Sequence, residues 1–142
     1  MPRLMSVALT ETQVRNRTKT VTRRTGWQML RPGDRITLCR KVQGRKPGEP
    51  LDRITDVEIV SVNRERLDAI TAVDVAAEGF HNWTRAEFIE FFCNTHRGVR
   101  PDSEITRIEW RYLDSIIELM LIQEDYLLHG ADGPLQRNGG YL

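Results

Sequence analysis

The sequence of 142 residues predicts one small α+β domain: a β-barrel with inserted helices and an added C-terminal helix. Three observations predict this fold. Segments that alternate between apolar and polar residues, as strands do, are interrupted by helix starts with capping signals. The length suits a single domain with a core of its own. An apolar helical stretch follows the last alternating segment. We therefore assign residues 1–113 to the barrel, 114–130 to the C-terminal helix and 131–142 to a glycine-rich, flexible tail.

Three helix starts are predicted from a residue that can cap the first turn and a polar partner three positions later. The first helix ends near Arg17, the second runs through Ala77 and closes near Gly79, and the third has an apolar face. Apolar pairs flank the first and third starts and predict a hydrophobic staple at each, Leu9 with Val14 and Trp83 with Phe88. The capping pairs are Thr10 with Gln13, Thr71 with Asp74, and Thr84 with Glu87.

The third helix places three phenylalanines on one face, and we expect that face to lie in the core. Strands are predicted where the alternation gives one buried and one solvent-exposed face. A turn at Pro32-Gly33-Asp34 precedes the first of these strands, and residues 43–50, with two Gly and two Pro, form a mobile connection. The apolar positions are Ile36 and Leu38, then Val57 and Ile59, then Ile108, Trp110 and Tyr112.

The C-terminal helix is apolar nearly all round in its middle, so it must be covered on more than one side. Either it packs across the barrel or it pairs with a second copy of the chain, which would make a homodimer. In both cases we expect burial of Ile116, Ile117, Met120 and Leu121.

The charge distribution is uneven although the net charge is only +1. Residues 1–50 contain 12 basic and 3 acidic residues, whereas the remaining residues contain 9 basic and 17 acidic residues. Such asymmetry indicates an anionic partner for the basic first third of the chain. Neutralisation of one part by the other across the fold is an equally open interpretation.

The sequence lacks the features expected of membrane proteins, of secreted proteins with a disulfide framework and of metal-binding proteins. No apolar run approaches the roughly 20 residues of a membrane span, and a secretory signal is missing, so we expect a cytoplasmic protein. Cys39 and Cys93 are too few and too far apart for a disulfide framework, and we expect reduced thiols. His81, His96 and His129 lack metal-ligand spacing. We therefore expect neither a metal nor a cofactor.

The segment from Arg17 to Arg24 carries a lysine, three hydroxyls and three guanidiniums within eight positions. A lysine that is desolvated or crowded by cations has a lowered pKa and can act as a base on a nearby hydroxyl. Thr22 is the candidate hydroxyl and Lys19 the candidate base. Because they face opposite sides of an ideal strand, Lys19 is expected before the strand or next to a bulge. A basic strand edge with solvated side chains is the alternative.

The same segment resembles the ASCH domain, a β-barrel of the PUA-like group, and the resemblance covers roughly residues 7–112. Its most specific part is a Lys-x-x-Thr-x-Arg pattern, here Lys19, Thr22 and Arg24, followed by a Gly-Asp turn. The family commonly has Gly two positions before the lysine, where this chain has Arg17. Further matching stretches are Leu30 to Leu38 and the strand that ends at Val62.

Within that family, the layout resembles the small bacterial N4-acetylcytidine amidohydrolases. The resemblance implies catalysis by Lys19 and Thr22 together with a downstream glutamate, and Glu78 occupies that place before the helix that begins at Thr84. Lysine would act as base, threonine as nucleophile on an acyl carbon, and glutamate would orient the lysine or hold the cytosine amine. A solvated position at the end of a helix is the alternative interpretation of Glu78.

We expect further contacts to substrate from the basic segment and from the aromatic residue just beyond it. Lys19, Arg23 and Arg24 are predicted to contribute to a positive concave surface. Trp27 is a candidate for stacking on a base, with a core or lid role as its alternative. The candidate substrate-binding residues are Arg23, Arg24, Trp27 and Thr20.

Three hypotheses about function remain open. The first is an amidohydrolase that acts on an N4-acylated cytidine nucleoside or on RNA. The second is an RNA-binding module in which the same residues hold phosphate and a base edge without turnover. The third is an interaction protein that assembles through its C-terminal helix. Fold resemblance alone does not separate them, because PUA-like barrels serve several purposes.

Overall fold

The computed structural model describes residues 3–113, 120, 123–124 and 127–128. Between residues 3 and 112 lie five strands, three α-helices and two 3₁₀ turns, and the described residues from 113 onwards are helical. In chain order they are β1 (Arg3–Ser6), the 3₁₀ turn Ala8–Thr10, α1 (Glu11–Arg15), β2 (Val21–Arg24), β3 (Arg35–Cys39), β4 (Arg53–Arg66), the 3₁₀ turn Leu67–Ala69, α2 (Ala72–Ala77), α3 (Arg85–Thr95) and β5 (Glu104–Tyr112).

The strands form one sheet in the order β1-β3-β4-β5-β2, which curls into a half-barrel. β1 runs parallel to β3, and the other neighbouring strands are antiparallel. The curl brings the two edge strands, β1 and β2, towards each other. Arg24 Nη2 on β2 donates a hydrogen bond to the carbonyl of Ser6 on β1 (2.8 Å). The predicted α+β fold, a small barrel with inserted helices, is therefore confirmed, and we call the gap between β1 and β2 the seam.

The core consists of two apolar clusters. The first fills the half-barrel, and β5 contributes to it through alternate residues, as its pattern predicts. The second lies under α2 and α3 and includes Phe88 and Phe92 of the predicted aromatic face. In β3 the prediction of one solvent-exposed face is wrong, because Thr37 and Cys39 are also buried. On that face the Thr37 hydroxyl donates to Oδ1 of its cross-strand partner Asp56 (2.6 Å).

The second and third helix starts are confirmed. Thr71 Oγ1 accepts from the amide of Asp74 (3.1 Å), and α2 ends before Gly79, which has a φ of 105°. Thr84 and Glu87 form the complete capping box of α3, with both reciprocal hydrogen bonds present.

The first helix begins at Glu11, directly after Thr10 as predicted, but its cap and its staple, and the staple at the third start, need correction. The Thr10 side chain makes no capping hydrogen bond, and a 3₁₀ turn in which the Thr10 amide donates to the carbonyl of Val7 (2.9 Å) precedes α1. Leu9 is 63% exposed, so it cannot staple the helix to Val14. Trp83 stacks on Phe80 with ring centroids 4.3 Å apart.

The turn before β3 is confirmed, with Gly33 at a φ of 93°. β2 begins at Val21, so Lys19 lies before the strand, as its pairing with Thr22 requires. β1 was not predicted. It has only four residues, which is too short for alternation to be recognised.

The C-terminal helix predicted over 114–130 and the tail over 131–142 fall mostly outside the described residues. Met120 is described and is 62% exposed in the single chain, so the barrel does not bury it. Ile116, Ile117 and Leu121 lie outside the described residues, and pairing with a second copy stays a prediction. Among the residues that the structure describes, no helix has the length and apolar character to span a bilayer.

Arg17 occupies a backbone position that favours glycine. Its φ is 67°, and it stands where the ASCH pattern commonly has Gly. The side chain donates from Nη1 to the carbonyls of Val14 (3.0 Å) and Arg15 (3.1 Å) and lies over the ring of Tyr112 at 4.8 Å. These contacts offset the strain of the left-handed conformation.

We therefore expect Arg17→Gly to be more stable than Arg17→Ala. Both variants lose the guanidinium contacts, but alanine keeps the left-handed strain, which costs about 1–2 kcal/mol. Urea denaturation of the two variants measures the difference directly. Equal stabilities would contradict the assignment of strain to this position.

Gly79 is the second position where the backbone favours glycine. A Cβ there would lie 2.7 Å from Cγ and 2.8 Å from Cβ of Gln13 on α1. We expect Gly79→Ala to lower the free energy of unfolding by about 1–3 kcal/mol through this overlap. Gly26 is the matched control, since its φ is not positive and a Cβ added there would meet nothing within 4 Å. Gly26→Ala should change the stability by less than about 0.5 kcal/mol in the same assay.

Candidate functional site

The backbone around Lys19 is held between α1, α2 and β5. Its amide donates to the carbonyl of Gln13 on α1 (3.1 Å), and the next amide, of Thr20, donates to the carbonyl of Ala77 on α2 (2.8 Å). The Lys19 carbonyl accepts from Trp110 Nε1 (3.2 Å) and from the hydroxyl of Tyr112. These bonds fix Lys19 beside the end of α2 before β2 begins.

Lys19 and Glu78 form a buried ion pair. Lys19 Nζ lies 2.8 Å from Glu78 Oε1 and 3.0 Å from the Glu78 carbonyl oxygen, and both side chains are at most 4% exposed. Burial lowers the pKa of Lys19, and the adjacent Glu78 carboxylate partly opposes this by raising it. Glu78 is therefore a buried partner of the lysine and not a solvated residue at a helix end.

Thr22 lies on β2 and is 3% exposed. Its Oγ1 accepts a hydrogen bond from Arg24 Nε (3.2 Å), which directs a guanidinium at the hydroxyl oxygen. Among the described residues no hydrogen bond joins Thr22 Oγ1 to Lys19 Nζ, so the direct contact expected from the sequence is absent in this unliganded state. Among the described residues, no group accepts a hydrogen bond from the Thr22 hydroxyl.

Arg23 is fully buried and surrounded by carboxylates. Its Nη1 donates to Glu78 Oε2 (3.1 Å), and its Nη2 donates to Asp74 Oδ2 (2.6 Å) and Glu65 Oε2 (3.1 Å). Arg23 Nε is buried without a hydrogen-bond partner in the described structure. With Lys19 and Arg23 both paired to acids, the positive concave surface expected from the sequence is reduced to Arg24.

A pocket of about 190 Å³ opens at the seam. One side carries the polar groups of Lys19, Thr22, Arg24 and Glu78, and Ser6 to Thr10 border it on the other edge of the seam. The rest of the lining is mainly aromatic. It consists of Phe80, Phe88, Phe91, Phe92 and His96. The structure thus brings the three candidate catalytic side chains to one cavity, and the aromatic face of α3 serves both core and pocket.

His96 is a pocket residue that the sequence offered only as a poor metal ligand. Its ring stacks on Phe92 at 3.8 Å between centroids, and Nδ1 lies 3.0 Å from the Phe92 carbonyl and 3.1 Å from Thr95 Oγ1. A carbonyl only accepts hydrogen bonds, so Nδ1 is the donor in its contact with Phe92. A stacking ring at the end of an amphipathic helix gives no sequence signal that would reveal this role.

Two candidate substrate contacts lie outside this pocket. Thr20 is tied into the fold through its backbone, since its carbonyl also accepts from the amide of Trp110 (3.0 Å). Trp27 is half-buried and lines a neighbouring groove of about 560 Å³. The groove shares Arg24 and His96 with the pocket and is completed by Arg3, Thr25, Gly26 and Met29.

Residues that could ligate a metal do not cluster in the described part of the chain: no group of three or more His, Cys, Asp or Glu side chains has suitable geometry. Cys39 and Cys93 are free thiols there.

Neither a family model nor a curated protein matches the sequence. Solved structures do match. An ASCH domain from Lactobacillus crispatus JV V101 is similar with a TM-score of 0.54 and 17% identity, over 71% of this chain and 68% of that chain. A protein of the family DUF984 from Enterococcus faecalis V583 is similar with a TM-score of 0.54 and 13% identity, over 79% of this chain and 80% of that chain. At these identities the likeness is one of fold, and it confirms the resemblance found in the sequence: the chain has the fold of an ASCH domain.

Proposed function

We propose that this protein is an amidohydrolase that removes the acyl group from an N4-acylated cytidine. The observation that carries the proposal is the buried Lys19–Glu78 pair, which shares a pocket with the hydroxyl of Thr22. Buried, charged and nucleophilic groups that converge in one cavity are typical of catalytic sites. The aromatic side chains that line the same pocket suit the flat face of a pyrimidine base.

Thr22 is the proposed nucleophile and Lys19 the proposed base. Burial lowers the pKa of Lys19, so the ammonium of the ion pair gives up its proton more easily and yields the neutral amine that a base requires. In the unliganded state Nζ faces Glu78, so substrate binding has to bring it to the threonine proton, directly or through one water. Glu78 holds the amine at the rim of the pocket and stabilises the ammonium once the proton has moved.

The reaction then balances with these two residues and water. Thr22 Oγ1 attacks the acyl carbon while its proton passes to Lys19 Nζ. The C–N bond breaks as the cytosine amino nitrogen takes that proton, which leaves an acyl ester on Thr22. Water hydrolyses the ester, releases the carboxylic acid and restores the hydroxyl.

Arg24 is the proposed electrostatic partner of the reaction. Its Nε already donates to Thr22 Oγ1, and its Nη2 is anchored on the carbonyl of Ser6. A guanidinium in this position stabilises negative charge that develops on the threonine oxygen or on the acyl oxygen. Because the anchor spans the seam, the group is held in place before substrate arrives.

The size of the pocket favours a small reacting group. About 190 Å³ is less than the roughly 300–1,000 Å³ of pockets that enclose drug-sized ligands. A base or a short acyl group fits this volume, and the ribose would extend towards the open groove beside it.

We further propose that the protein acts in the cytoplasm, where its two free thiols remain reduced.

The RNA-binding module is the second candidate, and the groove beside the pocket favours it. Arg3 and Trp27 lie there next to Arg24, so cations and an aromatic ring share one open surface. Assembly through the C-terminal helix remains a third hypothesis, for which the exposed Met120 is the available observation.

We expect Lys19→Ala and Thr22→Ala each to reduce hydrolysis of N4-acetylcytidine by about 100-fold or more, because each removes one partner of the proton transfer. Mass spectrometry of the released cytidine measures the rate. Lys41→Ala and Thr55→Ala are matched controls outside the pocket and should keep wild-type rates. Near-normal turnover by Thr22→Ala would instead assign the attack to water, and an inactive wild-type protein would remove the enzyme hypothesis.

If the groove binds RNA, the affinity for a single-stranded oligonucleotide should fall linearly with salt on logarithmic axes. The expected slope is about 0.7 for each neutralised phosphate. Fluorescence anisotropy at several salt concentrations gives the slope, which Arg3→Ala should reduce by about the same amount. Arg100→Ala, in an exposed turn, is the control. A flat salt response rules out the RNA-binding module and leaves the nucleoside enzyme intact.

A further inference from the structure

The Lys19–Glu78 pair is the inner end of a longer chain of charges. Glu78 Oε2 accepts from Arg23 Nη1 (3.1 Å), and Arg23 Nη2 donates to Asp74 Oδ2 (2.6 Å). Asp74 is in turn gripped by Arg107, with Nε to Oδ2 at 2.6 Å and Nη2 to Oδ1 at 3.1 Å. Five charges of alternating sign thus run from the pocket to Arg107, whose side chain is 17% exposed.

The chain of charges joins three elements of the fold. Arg23 on β2 and Arg107 on β5 are direct partners in the antiparallel ladder. Two like charges opposite each other destabilise a sheet unless an anion lies between them. Asp74 on α2 supplies that anion, and four residues further on the same segment ends at Glu78. The sheet register places Arg23 beside Arg107, and both bind Asp74. It thereby positions α2 so that Glu78 lies next to Lys19.

We propose that Asp74 and Arg107 are positioning residues of the site. By holding the Arg23 guanidinium between Asp74 and Glu78, they determine how strongly Arg23 competes with Lys19 for the Glu78 carboxylate. The inference rests on the proposed function for its catalytic meaning, but the coupling between Asp74 and Lys19 is a property of the folded protein alone.

The direction of the coupling follows from the contacts. Loss of the Asp74 charge leaves Arg23 with Glu78 and Glu65, so its positive charge is less neutralised and draws Glu78 away from Lys19. Arg23 lowers the pKa of Lys19 and Glu78 raises it, so both consequences lower it further. Loss of the Arg107 charge acts in the opposite direction, because Asp74 then neutralises Arg23 more completely. The pKa of Lys19 should rise in that variant.

Other groups around the lysine are the same in both variants. Asp74 itself does not titrate near neutral pH, since hydrogen bonds from Arg107 and Arg23 hold its pKa at about 2. Asp74→Asn also keeps the backbone amide that donates to the capping hydroxyl of Thr71 and the carbonyl that accepts from the amide of Glu78. The charged and titratable groups that face Lys19 are Arg23 and Arg24 from β2, Glu78 from the end of α2, Tyr112 from β5 and His96 from the end of α3.

The test is a direct titration of Lys19 by carbon NMR of the side-chain Cε in protein labelled on lysine. The chain has only three lysines, Lys19, Lys41 and Lys46, and Lys19→Arg assigns the signal. We expect Asp74→Asn to lower the Lys19 midpoint by about half a pH unit or more, and Arg107→Gln to raise it by a similar amount. Arg107→Lys keeps the charge and should return the midpoint towards that of the wild type.

Matched controls come from the same sheet. Arg64 and Glu104 form an exposed ion pair (3.4 Å) on β4 and β5 that does not touch Arg23. Arg64→Gln and Glu104→Gln should leave the Lys19 midpoint unchanged. Circular dichroism verifies folding of each variant. If Asp74→Asn fails to fold, the comparison of Arg107→Gln with Arg107→Lys still decides the outcome, because only the first should raise the Lys19 midpoint.

Shifts in one direction for both variants, or no shift in folded protein, would overturn the proposal. The pH dependence of N4-acetylcytidine hydrolysis provides the second measurement, in which the acid limb should move with the Lys19 midpoint. A purely structural role of Asp74 would lower the rate without moving that limb. If the wild type does not hydrolyse the substrate, the proposed function fails, whereas the NMR titration still tests the coupling.

Discussion

The arrangement of this domain depends on a buried lysine that must be neutralised. An isolated ammonium in a protein interior is very costly, and removing one partner of a buried ion pair costs about 3–5 kcal/mol. Lys19 meets this requirement through Glu78, which lies 59 residues further along the chain. The end of α2 must therefore dock beside the segment before β2. The backbone bonds to Gln13 and Ala77 and the close approach at Gly79 are the means by which it docks.

A second constraint, on the edge strands of the sheet, bears on why the pocket lies at the seam. An open sheet leaves unpaired backbone groups on its two edge strands, and these have to be satisfied by other partners. Arg24 satisfies one of them, the carbonyl of Ser6, and so closes the half-barrel with a side chain where a closed barrel would use backbone pairing. The Arg24 guanidinium therefore contacts the backbone of an edge strand and also lines the pocket. One guanidinium thus contacts both the sheet edge, at the Ser6 carbonyl, and the Thr22 hydroxyl.

Local signals in the sequence predicted what is determined locally. The caps at Thr71 and Thr84 and the alternation in β5 depend on neighbouring residues, and they were recovered. Residues paired across 33 to 59 positions, such as Asp74 with Arg107 or Lys19 with Glu78, leave no trace in spacing. Glu78 was predicted only through the resemblance to a family. Asp74 was recognised as part of a capping pair, yet its carboxylate serves Arg23 and Arg107, which only the sheet register could reveal.

The uneven charge of the sequence also has a structural meaning. Acidic residues from the second part of the chain, Glu65, Asp74 and Glu78, neutralise Lys19 and Arg23 from the basic first third. Of the two interpretations that composition left open, internal neutralisation accounts for the cations that are most deeply buried. The pocket therefore does not attract anions through a broad positive field. It offers one oriented guanidinium, Arg24, beside a hydroxyl and several aromatic side chains. The recognition that we propose, of an acyl carbonyl on a base, therefore depends on this geometry more than on net charge.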